Sequence, residues 1–497
     1  MKTRKLKYKP LISSCLFVPL IILIGCVCSC KKFVQVPPPN SQLVTASVFN
    51  NDGAATSAIT NIYTQMFNNS ESFFIARSNG LLADELQYNG TSITFLEPYH
   101  NAMTALNAIG SGYTEWPKAY SYIFQANAAI AALHQYSGTT PAIKQQLLGE
   151  AYFIRAFWHL YLTNCHGAVP LVLTTDYTVV DQLARTPRVQ VLQQVISDLQ
   201  LAKTMLSTNY VDGTDTVTTV DRVRPTKAVA TALLARAYLY LGDYDSQNAT
   251  YYVKADSAAN AVINNSEYSL CPNLSGPTNS VFLKNSSEAI WQIYTPLPST
   301  INTKDGNNFI LLAAPNSSQF TVSPQLLGAF ESGDQRQANW IGSITKNGQT
   351  YYFPYKYKVQ NGGTPISEYT MVLRLAEQYL IRAEAKAEEG DPAGAVSDLN
   401  VIRNRAGLPN YSGPTDQASL LAAILHERQV ELFTEWGHRW YDLERAAANP
   451  KATVNINAVM SVVTPLKSGT WSSYKALYPI PLQEIQKDVN LTQNTGY

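Results

Sequence analysis

Charged side chains are scarce in this 497-residue chain: Asp, Glu, Lys and Arg make up 15% of it, against about a quarter in ordinary globular proteins. Thirty-seven basic residues face 36 acidic ones, with the signs interspersed, so the basic footprint that nucleic acid requires is missing. Histidine is equally thin, at six. Of the six cysteines, four (Cys15, Cys26, Cys28 and Cys30) stand near the N-terminus, which excludes a disulfide framework; Cys165 and Cys271 leave room for one bridge at most. GxSxG, HExxH, P-loop and GxGxxG patterns are absent, and His426-Glu427 opens HERQVE without the second histidine of a zinc helix. A glycosidase-type carboxylate pair could be drawn from any of the 36 acids, but these cluster at 384–391 and 427–435, where a solvated or ion-paired helix face is the ordinary reading. These absences argue against an enzyme, a cofactor and a metal.

What is present starts with MKTRKLKYKP, five basic residues and no acid, followed by the apolar LISSCLFVPLIILIG. That order reads as a secretory leader, since Pro19 and Ser13-Ser14 weaken it as a stable membrane span. The run ends in GCVCSCKKF, where small residues precede cysteine, the pattern of a bacterial lipoprotein signal whose thiol receives diacylglycerol. Cys30, followed at once by Lys31 and Lys32, is the expected lipidation site, with Cys26 the alternative. A CxCxC metal site lacks a nearby histidine to complete it. Residues 1–29 are thus expected to be a signal peptide and 30–48, with Pro37-Pro38-Pro39, an extended tether. Removal of the leader's five basic charges shifts the net charge from +1 to −4 (1 − 5 = −4).

From Asp52 onward the pattern is helical. Ala55, Ile59, Ile62 and Met66 recur at three- and four-residue steps, and 116–133 and 142–162 follow, the latter with Ile143, Leu147, Ala151, Ile154, Trp158 and Tyr161 on one face. ALLARAYLYLGDYD (232–245) and YLIRAEAKAEEGDPAGAVSDLNVIR (379–403) share one plan: alanine-rich helix, Gly-Asp turn, second helix. In the second copy Gly390 suits a left-handed stop, Asp391 a cap and Pro392 the first turn of the next helix. Such pairs resemble tetratricopeptide hairpins. Two stretches break the periodicity, 80–115 and 267–370. In the latter, EAIWQIYT (288–295) alternates as a strand does, and Tyr351, Tyr352, Tyr355 and Tyr357 fit a short strand or hairpin. ILHERQVELFTEWGHRWYDLER (424–445) reads as one helix burying Ile424, Leu425, Leu432, Trp436, Trp440 and Leu443, rather than as a sugar platform of Trp436, His438 and Trp440. The predicted fold is mainly α, with tetratricopeptide-like hairpins, long loop insertions and few short strands. It forms a single domain over 49–497, divided into 49–266, the insertion 267–370, and 371–497.

Eight segments in order resemble the SusD/RagB family, surface nutrient-binding lipoproteins of Bacteroidota. They are SCKKF with its proline tether, LADEL (82–86), GEAYFIRAFWHLYLTNCHGAVPLV (149–172), RPTKAVATALLARAYLYLGDYD (224–245), ESGDQR (331–336), LRLAEQYLIRAEAKAEEGDPAGAVSDLNVIRNRAGL (373–408), the 424–445 segment and YPIPLQEIQKDVNLTQNTGY (478–497). The resemblance implies a SusD-like helical fold and non-catalytic capture of a glycan or peptide outside the cell. It also implies delivery to a SusC-like TonB-dependent barrel from a lipid anchor in the outer membrane. The acids that often follow the lipidated cysteine in this group are replaced here by Lys31 and Lys32.

The resemblance does not name the ligand. Sugars stack their C–H faces on aromatic rings and need polar side chains beside them. Loop-borne candidates are Tyr88, Phe95 and Tyr99 in the first insertion and Tyr294, Phe309 and Trp340 in the second, with Asp84, Asn89, Asn101 and Asn308 as polar partners. For each ring the competing role is to anchor its own loop. The leading expectation is capture of an oligosaccharide; the alternatives are a peptide-binding RagB-like lipoprotein and a scaffold that binds only protein.

Overall fold

Local rules start the helices where the pattern predicts. In the computed structural model, which describes residues 45–108, 115–316, 318–363 and 365–497, the Asn51 side chain accepts from the Ala54 N–H at 2.9 Å and opens α1 (Asp52–Asn68). The leader, Cys26, Cys30 and the prolines lie outside the described residues, and the last residues of the expected tether are already helical (Thr45–Phe49). α2 (Glu71–Leu82) was not predicted; it is buried on nearly every side, which erases the one-face periodicity that betrays a surface helix.

Then come α3 (Trp116–Gln135), which packs on α1, and α4 (Pro141–His166), α5 (Arg188–Met205), α6 (Lys227–Tyr244) and α7 (Ala249–Ile263), each of these four packed on the one before it. The next layer is supplied from beyond the second insertion. α7 lies directly against α8 (Leu375–Glu389), which packs on α9 (Pro392–Arg405). The stack of hairpins therefore continues across the interruption as if it were not there. Gly390, at φ +80°, ends α8, and Asp391 accepts from the Gly394 N–H at 2.9 Å to start α9, as expected. Alanines such as Ala235, Ala255, Ala259 and Ala383, all buried, let these helices approach closely.

The strands are short, and among the described residues they occur only as two-stranded pairs. In chain order they include β1 (Leu86–Gln87), β2 (Ala289–Ile293), β3 (Thr321–Val322), β4 (Ile341–Lys346), β5 (Gln349–Pro354) and β6 (Thr370–Arg374). β2 pairs antiparallel with β6 and clamps the root of the second insertion. Every residue of β2 is buried, so the alternation read at 288–295 does not separate a wet face from a dry one. The expected tyrosine hairpin is β4–β5 with Tyr351 and Tyr352 in it, although Tyr355 and Tyr357 lie beyond its end and Tyr357 is buried.

The 424–445 segment is not one helix. α10 (Gln417–Leu432) stops, Thr434, Trp436 and Gly437 take φ of +50°, +47° and +76°, and α11 (His438–Ala446) begins. An α-helix cannot run through left-handed residues. Trp436 and Trp440 are nevertheless buried, donating to the Met371 and Ala476 carbonyls at 2.8 and 3.2 Å, and His438 is buried with them, so no sugar platform forms.

A second correction concerns the acids. Those at 427–435 do not coat a surface; Glu427, Glu431 and Glu435 are all buried. Arg336 reaches Glu427 and Glu431 at 2.6 and 2.9 Å, Arg374 reaches Glu288 and Glu435 at 3.0 and 2.8 Å, and both Arg374 and Arg405 also pair with Glu431. Burial alone would raise the Glu431 carboxyl, but Arg405, Arg374 and Arg336 outweigh it and hold the group well below the usual carboxylate range. Glu384 and Glu388 are buried too, paired with Arg445 and Lys451. Cys165 and Cys271 are both free and buried.

Candidate ligand-binding cleft between the two insertions

The first insertion leaves the end of α2, and its root is held hard. Lys467 donates to the carbonyls of Leu81, Leu82 and Ala83 at 2.7, 2.9 and 2.9 Å, filling acceptors that a helix end leaves open. Asp84 forms a two-pronged ion pair with Arg439 at 2.8 and 2.7 Å, and Glu85 accepts from the Thr434 N–H at 3.2 Å. Both acids are buried. Burial raises Asp84, but Arg439 and Lys467 outweigh it and lower its pKa; burial and the Asp84 charge push Glu85 up to about 8. The LADEL and 424–445 motifs thus meet, and their shared task here is to fasten the insertion to the frame.

Beyond this root β1 pairs antiparallel with β3, Leu86 opposite Val322 and Gln87 opposite Thr321. Two insertions far apart in sequence are thereby joined edge to edge. Beneath the joint lies an aromatic cluster. Tyr88 and Phe320 meet Phe95 at 5.3 and 5.0 Å between ring centres, Phe73 meets Phe309 at 5.0 Å, and the Arg77 guanidinium sits 5.0 Å from the Phe95 ring. Gly90 makes this possible: a Cβ there would fall 2.3 Å from the Tyr88 hydroxyl, which itself accepts from the Ser92 N–H at 3.0 Å.

Above the cluster an open cleft of about 230 Å³ separates two lips, Asn89-Gly90-Thr91 and the segment holding Pro315, Asn316, Gln319 and Thr321. No lip residue carries a charge. Asn316 Oδ1 accepts from the Ser318 N–H at 2.9 Å and from its hydroxyl at 2.8 Å, while Gln319 Oε1 accepts from the Asn316 N–H at 3.1 Å. Both amides shape their own turn through oxygen and keep their NH₂ groups as uncommitted donors among the described residues. Among those residues no cluster of His, Cys, Asp and Glu could hold a metal.

The predicted site residues divide sharply. Asn89 is exposed on a lip of the cleft. Phe95 and Tyr99 are half-buried beside it, Phe95 within the aromatic cluster. Tyr88, Phe309 and Trp340 are corrections: all three are buried, Tyr88 and Phe309 in the cluster and Trp340 in a separate core, where it donates to the Leu274 carbonyl at 2.9 Å. Their rings are spent on packing and cannot be exposed platforms. Asp84 and Asn101 are corrections too. Asp84 is consumed by Arg439, and Asn101 is buried between the Leu82 carbonyl, to which it donates at 2.8 Å, and the Thr464 hydroxyl. Asn308 donates to the Lys304 carbonyl at 2.7 Å within its own helical turn. Tyr294 is exposed but elsewhere, in a groove of about 330 Å³ lined by Thr60, Thr64, Asp221 and Arg224. The residues sequence reasoning missed are Thr91, Asn316 and Gln319; the signal was the polar NSSQ run, passed over in favour of rings.

A stack of helical hairpins that carries an open cleft between two joined insertions defines a class, the helical-repeat protein. The sequence places it further. The SusD family model matches residues 325–497, and the model described as "Starch-binding associating with outer membrane" matches residues 35–239. The chain belongs to the SusD/RagB family. It is 27% identical to SusD-like protein P2 of Formosa agariphila over 86% of this chain and 89% of that one. It is 28% identical to the starch-binding protein SusD of Bacteroides thetaiotaomicron over a shorter stretch, 28% of this chain and 24% of that one. The fold matches that of surface glycan-binding protein A from Bacteroides uniformis with a TM-score of 0.72 at 20% identity, covering 89% of this chain and 99% of that structure.

Proposed function

We propose that this protein captures an extracellular glycan, leaves it chemically intact and delivers it to a SusC-like TonB-dependent barrel, held at the outer membrane by a lipid on Cys30 or Cys26. The observation that carries the reading is the cleft itself, an uncharged amide- and hydroxyl-lined opening on a rigid aromatic base. A sugar hydroxyl both donates and accepts, and an amide side chain offers one group of each kind without the desolvation cost of a charge. The names of the starch-binding and glycan-binding relatives support the same ligand class. Exposed Ile93 and Leu106 on the first insertion and Leu312 on the second suit a face that meets another surface during delivery.

The test is calorimetric titration of the purified protein with hexasaccharides and polysaccharides of several linkages, beside the variant Asn89→Ala/Asn316→Ala. Binding that the double variant loses, with ligand chain lengths unchanged by mass spectrometry after long incubation, is the expected outcome. Fragments accumulating in proportion to protein would sink the non-catalytic reading. Binding of peptides instead of any glycan would transfer the site to the RagB-like alternative.

A further inference from the structure

A third opening is wider than both the cleft and the Tyr294 groove. It has a volume of about 510 Å³ and lies where the first turns of α3, the segment 170–181 and the C-terminal segment 484–491 converge. Two of its walls are rings left open to solvent, Phe124 at 54% and Tyr177 at 73% exposure. Exposed rings that line one opening form the kind of apolar patch that marks a binding groove. A third ring, Tyr120, is fixed: its hydroxyl donates to the Pro170 carbonyl at 2.9 Å and its ring packs 5.0 Å from that of Trp116. The lips are tied together as well, since the Asn490 side chain donates to the Gln182 carbonyl at 3.1 Å. Asp176 caps the short helix Tyr177–Val180 that carries the Tyr177 ring.

The polar groups among these rings are three carboxylates, two threonines and a lysine. Glu484 is paired with Lys487 at 2.7 Å, whereas Asp181 and Asp488 have no ion-pair partner among the described residues. Asp488 Oδ1 accepts from the Asn490 N–H at 2.8 Å, which leaves its other oxygen and the Asp181 carboxylate to serve as acceptors beside the rings. Rings beside such acceptors, in a preformed groove within the usual 300–1,000 Å³ range of ligand sites, are what a ring of hydroxyl donors requires. A basic peptide is the less suited occupant, because the Lys487 ammonium already stands in the acidic rim.

We propose that this groove is a second sugar-ring site, remote in sequence from the cleft, with Phe124 and Tyr177 as stacking faces and Asp181 and Asp488 as hydroxyl acceptors. The proposal rests on the reading of the ligand as a glycan. Two sites on one frame would let a single polymer be held at two points, raising its effective local concentration at each.

The test is calorimetry with maltoheptaose, xylohexaose, laminarihexaose and mannohexaose on the full protein, Phe124→Ala/Tyr177→Ala and Asn89→Ala/Asn316→Ala. The expected result is a stoichiometry near two for one of these probes, falling to near one in each double variant, with thermal unfolding of the groove variant unchanged. A stoichiometry of one that the cleft variant abolishes and the groove variant leaves intact overturns this proposal while sparing the proposed function. A stoichiometry of one that only the groove variant abolishes upholds the groove and overturns the cleft. Absence of binding to all four sugars, or groove-dependent binding of a Lys-Leu repeat peptide in their place, overturns it outright.

Discussion

Around Glu431 the polar side chains are charged, buried and paired with one another, whereas along the cleft they are uncharged, open and only half committed. Both regions are polar, yet they do opposite work. Charges buried together act strongly because no water screens them, and each needs all of its partners, so they hold β6, α9, α10 and the ESGDQR segment in one arrangement. Amides at a solvent edge cost little to leave unpaired and can exchange water for a ligand. The comparison teaches that charge fixes this part of the frame, while on the proposed reading the neutral polarity along the cleft is kept for recognition.

The largest effect should come from removing the centre of the ionic core. Glu431→Ala leaves Arg336, Arg374 and Arg405 short of a carboxylate they all share, and about 3–5 kcal/mol of stability should be lost in urea denaturation. Trp436→Ala, which empties a fully buried site beside the same core, should cost a similar ~3–5 kcal/mol. A loss under about 1 kcal/mol for Glu431→Ala would break the comparison, because the charges would then be decoration on an apolar frame.

Acid and alkali should separate two kinds of buried acid. Glu431, Glu435 and Asp84 sit below their unfolded values, so their stabilisation is complete above pH ~4 and is lost as pH falls further. Glu85 is raised to about 8, so its contribution is complete below its unfolded pKa and fades as pH rises through the folded one. Glu85→Gln keeps an acceptor for the Thr434 N–H but cannot ionise. Relative to the unmodified protein it should therefore gain stability steadily between pH 5 and pH 8, read as the difference in urea midpoint. A difference that stays flat over that range would show that Glu85 is ionised in the fold.

Much of the frame was legible in the sequence because its signals are local. The Gly390-Asp391-Pro392 turn, the alanine helices and the tyrosine hairpin each declare themselves within a few residues. What was not legible depended on partners far along the chain. Burial of α2 on nearly all sides hides its period, and the break at Thr434–Gly437 sits among partners far along the chain: Glu85 accepts from the Thr434 N–H, and Trp436 donates to the Met371 carbonyl and packs on Phe157 and Tyr161. At the site, two insertions were expected to build the binding surface, and the β1–β3 pair does join them. The choice of side chains went astray for one reason. An aromatic residue in an irregular segment looks identical whether it faces a ligand or seals the loop, and Tyr88, Phe309 and Trp340 seal. Asn89, named as a polar partner to the rings, is exposed on the cleft lip beside Gly90.

Smaller effects on stability, with larger ones on binding, belong to the cleft. Asn89→Ala/Asn316→Ala should weaken glycan binding tenfold or more while changing stability by less than about 1 kcal/mol, since exposed substitutions rarely cost more. Gly90→Ala should reduce binding by another route, because its Cβ would collide with the Tyr88 ring and tilt the lip.

The smallest effect sharpens the comparison most. Tyr294 is the one of the six predicted rings that is exposed, and among the described residues the ring it meets is that of Tyr369, at 5.4 Å. It stands in a groove with Asp212, Asp221 and Arg224, where charge again gathers, rather than on the neutral lips. If neutral polarity marks the recognition surface, Tyr294→Ala should leave cleft binding unchanged within twofold and stability unchanged within about 0.5 kcal/mol. A loss as large as that of the Asn89 and Asn316 variant would mean that one ligand runs from the cleft into the charged groove. The division between a charged frame and a neutral binding edge would then fail at the position where the sequence alone had placed a contact.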